Sequence, residues 1–514
     1  MFSTGIKPGA LSGGRLILIS ALFFLSCVVS AQYHFNSQCR EAYQEILNFR
    51  FEAAQNLLQK ERQEHPENLI PVYLENYIDF FKLYTRENKL EFELLKGNKS
   101  KRLKLLEDGN QKSPYYRLCL AGVRIQWAFV KLKFGEYMTA AFDIRRAYLL
   151  LKENEKLFPE FLPDKVGQGI LHIIVGLIPE NYLWLANLVG LEGTISEGIA
   201  ELNSVFLYNG SNEVYKLFKP EACFYLAFVY ANLHSNKQES LEFIRRFDLD
   251  TSFIQYKNSP LIVFAKSSVY MKNGRNDEVI ALLSSYQPDA ETYPFLYLEF
   301  LEGLAHINRL DTSASNYFNT FLDEFKGINY IKSGHQKLAW IYLLKGDTLR
   351  YKAEIMKAKV NGHAIVDDDK QAYAEYDVGI IPALPLLKAR LLFDGGYYRE
   401  ALNILLNTSL DQYIRSRKDL TEYTYRLGRI HHAVGNIPRA EEFYTQTIKL
   451  GKKIPHYFAA NAALNLGMIY EKRGDFIGAD TNYRICASLK HAEYENSLRQ
   501  KAKAGLSRLK RANR

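Results

Sequence analysis

The segments KARLLFDGGYYREA (388–401), LGRIHHAVGNIPRA (427–440) and LGMIYEKRGDFIGA (466–479) repeat one pattern with a period of 39 residues. Each has a small residue in its second position, a glycine seven residues later and an alanine five residues after that. This spacing predicts a helical hairpin, in which the small residue lets two helices approach, the glycine ends the first helix and the alanine packs the second closely. The residues that define the pattern are Ala389, Gly396, Ala401, Gly428, Gly435, Ala440, Gly467, Gly474 and Ala479.

These repeats resemble the tetratricopeptide repeat (TPR), lengthened from its usual length of about 34 residues. The resemblance implies an all-α fold, an α-solenoid in which about nine to eleven helix-turn-helix repeats form a right-handed superhelix. A less regular unit begins near residue 37, and residues 113–155 keep the same spacing through Ala128, Gly135 and Ala140. In such a solenoid each unit is expected to bury its apolar face only against its neighbours.

Composition places the chain among ordered globular proteins and suggests no division into unlike domains. Of its 514 residues 47% are hydrophobic and 24% are charged, with a net charge of +9. We expect a signal peptide at 1–31, a degenerate helical array at 32–359, a linker at 360–376 and three regular repeats at 377–491. Residues 492–514 are expected to form a basic helix that caps the array.

The central stretch LHIIVGLIPENYLWLANLVGLEGTISEGIAEL (171–202) is apolar on several faces. It is similar to the central segment of the eukaryotic tetratricopeptide-39 and inclusion-body-clearance family, in its order of glycine, leucine and proline. That likeness supports a TPR-type chain and transfers no functional residue. If this stretch forms a special surface, Trp184, Leu185 and Leu188 are the candidates, and a buried core segment is the alternative.

The first residues have the features of a secretory signal. Lys7 and Arg15 lie before an apolar run at 16–29, and the run is followed by the small residues Ser30 and Ala31. This order predicts cleavage before Gln32. The protein is therefore expected to be exported, with the periplasm or outer membrane of a Gram-negative bacterium preferred. Lipid anchoring at Cys27 is the alternative, although Phe24 fits that motif poorly.

No catalytic or metal-binding motif is apparent in the sequence. It lacks the GxSxG, GxxxxGK[ST] and HExxH patterns, and the adjacent His431 and His432 would point about 100° apart on a helix. The remaining cysteines, Cys39, Cys119, Cys223 and Cys486, are far apart and form no CxxC pair. We therefore expect no enzymatic activity, no cofactor, no metal and no disulfide framework.

The basic charge at the C-terminus offers a possible contact surface. Residues 492–514 place Leu498, Ala502, Leu506 and Leu509 on one stripe and basic residues on the other faces. An anionic membrane surface or an acidic partner would suit this helix. The positive charge of the whole chain is too dispersed to indicate nucleic acid, so no nucleic-acid partner is expected.

The resemblance to TPR proteins implies a scaffold or adaptor of the cell envelope that binds a protein or peptide in the concave groove of its superhelix. Tyr425, His432, Tyr470 and Arg473 fall on the first helices of the two most regular repeats, and we predict that they line that groove. The alternative is an outer-membrane glycan- or nutrient-binding accessory protein similar to the SusD-type helical binders. The chain has only three tryptophans. This small number disfavours the alternative, because sugar-binding platforms favour tryptophan.

Overall fold

The computed structural model describes residues 32–178, 190–233, 237–491 and 494–512, and in these segments the chain is all-α. The described segments contain no strand, and one isolated bridge joins Gln32 to Asn68. The predicted signal peptide with Cys27, and the candidate surface residues Trp184, Leu185 and Leu188, lie outside the described residues. The predicted fold class is confirmed, since consecutive helices pack in neighbouring pairs.

The first half of the described chain consists of helices separated by short turns, with one 3-10 helix at Thr251–Tyr256. The α-helices are α1 (Ser37–Leu47), α2 (Phe51–Glu64), α3 (Ile70–Arg86), α4 (Lys89–Leu95), α5 (Asn98–Glu107), α6 (Pro114–Lys133), α7 (Tyr137–Leu157), α8 (Asp164–Leu177), α9 (Ile195–Phe206), α10 (Glu213–Lys216), α11 (Lys219–Asn232), α12 (Lys237–Leu249), α13 (Pro260–Lys272) and α14 (Asn276–Ser285).

The second half continues the same alternation of helix and turn, and its last helix packs against the two before it. Its helices are α15 (Tyr297–Asn308), α16 (Ala314–Glu324), α17 (Ile331–Leu344), α18 (Thr348–Val360), α19 (Asp367–Val378), α20 (Leu384–Asp394), α21 (Tyr398–Leu406), α22 (Leu410–Tyr413), α23 (Arg417–Ala433), α24 (Ile437–Gly451), α25 (Phe458–Arg473), α26 (Phe476–Ser488) and α27 (Glu495–Ala512).

The residues that define the repeat act as their spacing predicts. Gly396, Gly435 and Gly474 have φ values of 87°, 81° and 81°, in the left-handed region that ends the first helix of each pair. A Cβ atom on Gly428 or Gly467 would lie within 2.7 Å of a tyrosine ring on the second helix of its own pair. The small residue at this position is therefore required for the two helices to pack.

The segment predicted as a linker, 360–376, is instead largely part of a helix. Helix α19 begins at Asp367, and Ala372 belongs to the same buried apolar cluster as Leu387 and Leu391 of α20. Asp369 is buried and accepts hydrogen bonds from the backbone N–H groups of Tyr330 and Ser333. The acidic run thus begins one helix and caps another, because carboxylates are stabilised at helix N-termini.

Contacts between distant parts of the chain correct the expectation that each unit packs only on its neighbours. In the first half, the buried carboxylate of Glu221 on α11 accepts hydrogen bonds from Tyr43 on α1 and Tyr77 on α3, both at 2.9 Å. Near the C-terminus, the Gln500 amide on α27 donates to the carbonyl oxygen of Leu177 on α8, at 3.1 Å. Helices far apart in sequence therefore face each other across the interior.

A second distant contact joins two helix-ending turns. The turn after α13 meets the turn between α20 and α21 so closely that a Cβ atom on Gly396 would lie 1.9 Å from the carbonyl oxygen of Gly274. Beside this contact, Tyr397 Oη donates to Asp277 and accepts from the Asn276 amide. This junction brings the C-terminal end of α13 to the first of the three regular repeats.

Candidate functional site

The four residues predicted to line the groove have different surroundings, and Tyr425 does not line it. Its side chain is fully buried against Tyr457 and Phe458, and its hydroxyl accepts a hydrogen bond from Arg429. Its inclusion is therefore wrong. The first helix of a repeat also packs against the next repeat, and Tyr425 lies on that side of α23.

Tyr470 and Arg473 form a small polar group on the last turn of α25. The Arg473 guanidinium lies 4.8 Å from the centre of the Tyr470 ring and 2.9 Å from Glu441 on α24. Tyr470 is half-buried and Arg473 is exposed, so both are accessible to a partner. However, Glu441 already offsets the charge of Arg473. Arg473 is therefore expected to attract an anion more weakly than an unpaired arginine would.

His432 lies among basic side chains from several helices. Its ring is half-buried, and its Nδ1 atom lies 3.3 Å from the Tyr444 hydroxyl. Burial lowers the pKa of His432, and the nearby cations Arg429, Lys472 and Lys237 lower it further. The imidazole is therefore neutral near pH 7, although it lies where an anion would favour its protonation.

Lys501 on α27 is a further basic side chain near the ones that surround His432. Lys501 is exposed, yet burial by the surrounding protein lowers its pKa, as do the cations Lys272 and Arg429. The charges of Lys272 and Arg429 therefore lie close enough to Lys501 to disfavour its protonated form. We refer to this set as the cationic cluster, and its members are Lys237, Lys272, Arg429, His432, Lys472 and Lys501.

Five helices contribute to the cationic cluster. Lys237 begins α12 and Lys272 ends α13, while Arg429 and His432 lie one turn apart on α23. The junction of Gly274 with Gly396 brings the end of α13 beside the start of α21, and α21 in turn packs against α23. Lys237 also donates a hydrogen bond of 3.0 Å to the Tyr398 hydroxyl, at the start of α21.

The charge of the cationic cluster is not offset by ion pairs. Within the part of the chain that the structure describes, none of its lysines nor Arg429 forms a salt bridge. Arg429 contacts uncharged groups, namely the Tyr425 hydroxyl and the face of the Phe393 ring. Like charges that lie close together repel each other, so an anion that binds among them is attracted by several at once.

Of this set, the sequence predicted His432 as a groove residue and included Lys501 only in the basic face of the C-terminal helix. Arg429 could have been found from its position one turn before His432 on the same predicted helix. Lys237, Lys272 and Lys501 are separated from it by more than the length of a repeat, and no periodic signal links them. The position of Lys272 depends on the contact of two distant turns, whereas that of Lys501 depends on the packing of α27 against α25 and α26.

The described residues contain no helix that is long and apolar enough to span a membrane. They also contain no group of three His, Cys, Asp or Glu residues that could hold a metal ion. Cys39, Cys119, Cys223 and Cys486 are all buried as free thiols.

No family model matches the sequence, and a search of curated proteins finds no match. Among solved structures, the chain is similar to a monomeric mutant of IFIT1 with Gppp-AAAA. The two share 11% sequence identity with a TM-score of 0.31, over 93% of this chain and 95% of that chain. Similarity at this level identifies no ligand for the present chain, whose site is interpreted from its own geometry.

Proposed function

We propose that this protein is a non-enzymatic scaffold that binds an acidic segment of another protein at the cationic cluster. The observation that carries the proposal is that basic side chains from five helices lie close enough to lower the pKa of His432 and Lys501. Among the described residues, the lysines of this set and Arg429 form no ion pairs. Carboxylates of a bound segment would supply the missing counter-charges. The TPR-like arrangement of helices supports this role, because such arrays present side chains from successive repeats to an extended partner.

An acidic protein segment fits this surface better than a nucleic acid does. A continuous phosphate backbone needs a continuous basic track. Here the neighbouring basic residues Arg473 and Arg508 are already paired with Glu441 and Glu471. These carboxylates interrupt the positive surface and would repel a polyanion of uniform charge. A segment with a few acidic residues can match the cluster and avoid them.

The alternative of a glycan-binding accessory protein receives less support. Trp127 and Trp340 are both about 2% exposed, so neither forms an open platform for a sugar ring. Their indole N–H groups also donate hydrogen bonds within the protein, to Asn76 and Glu375.

The binding prediction can be tested with a fluorescent peptide that carries about six Asp or Glu residues. Replacing Lys272 and Lys501 with glutamine should weaken binding about tenfold, since each exposed charge pair contributes roughly 0.5–1 kcal/mol. The matched control replaces the exposed Lys352 and Lys449 and should leave the affinity unchanged. Equal loss in both double variants would mean that the peptide responds only to net charge.

The same site predicts a pH dependence of binding. A bound carboxylate raises the pKa of His432, so the complex holds more protons than the free protein and affinity rises from pH 7.5 to pH 5.5. In the variant His432→Gln this increase should be lost. A single-stranded oligonucleotide of equal charge serves as the competing probe, and tighter binding of that probe at the cluster would assign the site to nucleic acid instead.

The proposal includes export of the protein to the cell envelope. From the predicted mature N-terminus onward the chain is packed, since the Gln32 backbone exchanges hydrogen bonds with Glu67 and Leu69 and Tyr33 is buried. We expect the intact mass of the protein from an envelope fraction to begin at Gln32. A mass that includes residues 1–31 would contradict export by cleavage, and a diacylglyceryl adduct at Cys27 would show lipid anchoring instead.

A further inference from the structure

A pocket of about 90 Å³ lies between helices α17, α19, α20, α23 and α25. Two of these helices, α23 and α25, also carry members of the cationic cluster. Trp340 and Arg390 line it together with apolar residues that include Leu386, Leu387 and Phe458. We refer to it as the Trp340 pocket. By the same measure a single water needs roughly 10–15 Å³, so the pocket can hold a molecule of several heavy atoms.

The carboxylates that line the Trp340 pocket already have partners. Glu375 accepts hydrogen bonds from the Trp340 indole and the Tyr351 hydroxyl, both at 2.9 Å. Glu422 pairs with Arg426 at 2.7 Å and with Lys418 at 3.2 Å. Neither acid is therefore available as the main partner of a further cation.

Arg390 lies farther from its paired carboxylate than Lys418 and Arg426 do from theirs. Its Nη2 atom donates a hydrogen bond to Gln371 at 2.9 Å, and its Nε atom lies 3.9 Å from the Asp394 carboxylate. Its guanidinium lies 4.8 Å from the centre of the Trp340 ring, and the Lys337 ammonium lies 4.0 Å from the same ring. Positive charge is thus concentrated at this wall of the pocket, and a guanidinium has five N–H donors.

We propose that the Trp340 pocket binds a carboxylate joined to a short apolar body. The carboxylate would accept hydrogen bonds from Arg390, whose planar donors match its two oxygens. The apolar body would contact Leu386, Leu387 and Phe458, from which it displaces water. Phosphate fits this pocket less well, because most of the remaining wall is apolar or already paired.

Two sources could supply this chemistry. One is a free small carboxylic acid. The other is the C-terminal residue of the segment bound at the cationic cluster, and only this second source rests on the proposed function. Glu422 and Arg426 in the pocket lie on the same helix as Arg429 and His432 in the cluster. A turn of helix rises about 5.4 Å, so one extended chain can reach both sites.

The test uses the full mature chain labelled with 5-fluorotryptophan, with the Trp340 resonance assigned through Trp340→Phe. Butyrate, with about six heavy atoms, should shift that resonance saturably with a Kd on the order of 1 mM. Sodium chloride at equal ionic strength should not shift the Trp340 resonance. Arg390→Gln should weaken binding at least tenfold, and Ala374→Leu should block the pocket with its charges intact. The control is Arg399→Gln, which replaces an exposed arginine nearby.

A second arm compares the acidic peptide with its C-terminally amidated form. If the terminus occupies the pocket, amidation should weaken binding about tenfold in the parent chain and not in Arg390→Gln. If the occupant is a free acid, amidation has no effect and butyrate binds beside the peptide. The proposal is overturned if butyrate and amidation both have no effect, or if chloride reproduces the butyrate shift. If butyrate binds at the pocket and the acidic peptide does not bind, only the proposed function would be overturned.

Discussion

The replacement Glu87→Ala should lower the free energy of unfolding by about 3–5 kcal/mol, the cost of leaving a buried charge without its partner. Glu87 is fully buried just after α3. Its carboxylate accepts hydrogen bonds from the Lys133 ammonium and the Tyr297 hydroxyl, both at 2.5 Å, and from the backbone N–H of Asn329 at 2.9 Å. It also accepts from the backbone N–H of Ile328 and the side-chain amide of Asn329, so its removal leaves five hydrogen bonds without their acceptor.

The pKa of Glu87 shows which effect dominates at this site. Burial by itself raises the pKa of the carboxyl group, but Lys133 and the hydrogen bonds together lower it below its usual value. The carboxylate is therefore ionised and paired in the folded state. Because Asn329 is far from Glu87 in sequence, this one side chain connects α3 and α6 to the segment that precedes α17.

The effect can be measured from urea denaturation, compared at unchanged slope. Glu87→Gln keeps the side-chain volume and part of the hydrogen bonding, so it should cost less than the alanine variant. Glu93→Ala removes an exposed acid on α4 and should change stability by no more than about 0.5 kcal/mol. A loss below about 1 kcal/mol for Glu87→Ala would show that water replaces the carboxylate easily.

The local features of the fold could be predicted because the sequence encodes them within a single repeat. Gly396, Gly435 and Gly474 mark left-handed turns, since few other residues adopt that backbone conformation without strain. The buried alanines Ala440 and Ala479 follow at the spacing that brings a second helix back onto the first. These features involve residues less than two helices apart.

The site could be predicted only in part, because its geometry depends on contacts over long sequence distances. Tyr425 was misplaced since a helix in an array faces several neighbours, and the helical period does not say which face is open. Lys272 was missed because it looks like an ordinary surface lysine in its own helix, and Lys501 was recognised only as part of the basic face of the C-terminal helix. The segment at 360–376 was misread as a linker because its three aspartates suggest a loop as readily as the first turn of a helix.

The replacement Gly396→Ala should be far more damaging than the same change at the two equivalent glycines. At Gly435 and Gly474 a Cβ atom would meet nothing within 4 Å, so alanine should cost only about 1–2 kcal/mol for the left-handed backbone. At Gly396 the Cβ atom would also lie 1.9 Å from the carbonyl oxygen of Gly274. Separating these turns should raise the cost to about 3 kcal/mol or more.

The Gly396→Ala variant also connects the fold to the proposed site. Lys272 lies two residues before Gly274, and Tyr398, the partner of Lys237, lies two residues after Gly396. Moving the turns apart should therefore weaken binding of the acidic peptide several-fold at a temperature where the protein is still folded. The control Gly135→Ala changes a left-handed glycine whose Cβ would meet nothing within 4 Å, in the turn between α6 and α7, and should leave binding unchanged. Equal stability and equal binding in the two variants would mean that the turns do not meet in solution. Loss of stability with unchanged binding would place the anion contacts elsewhere than at the junction, since the cationic cluster requires both sides of it.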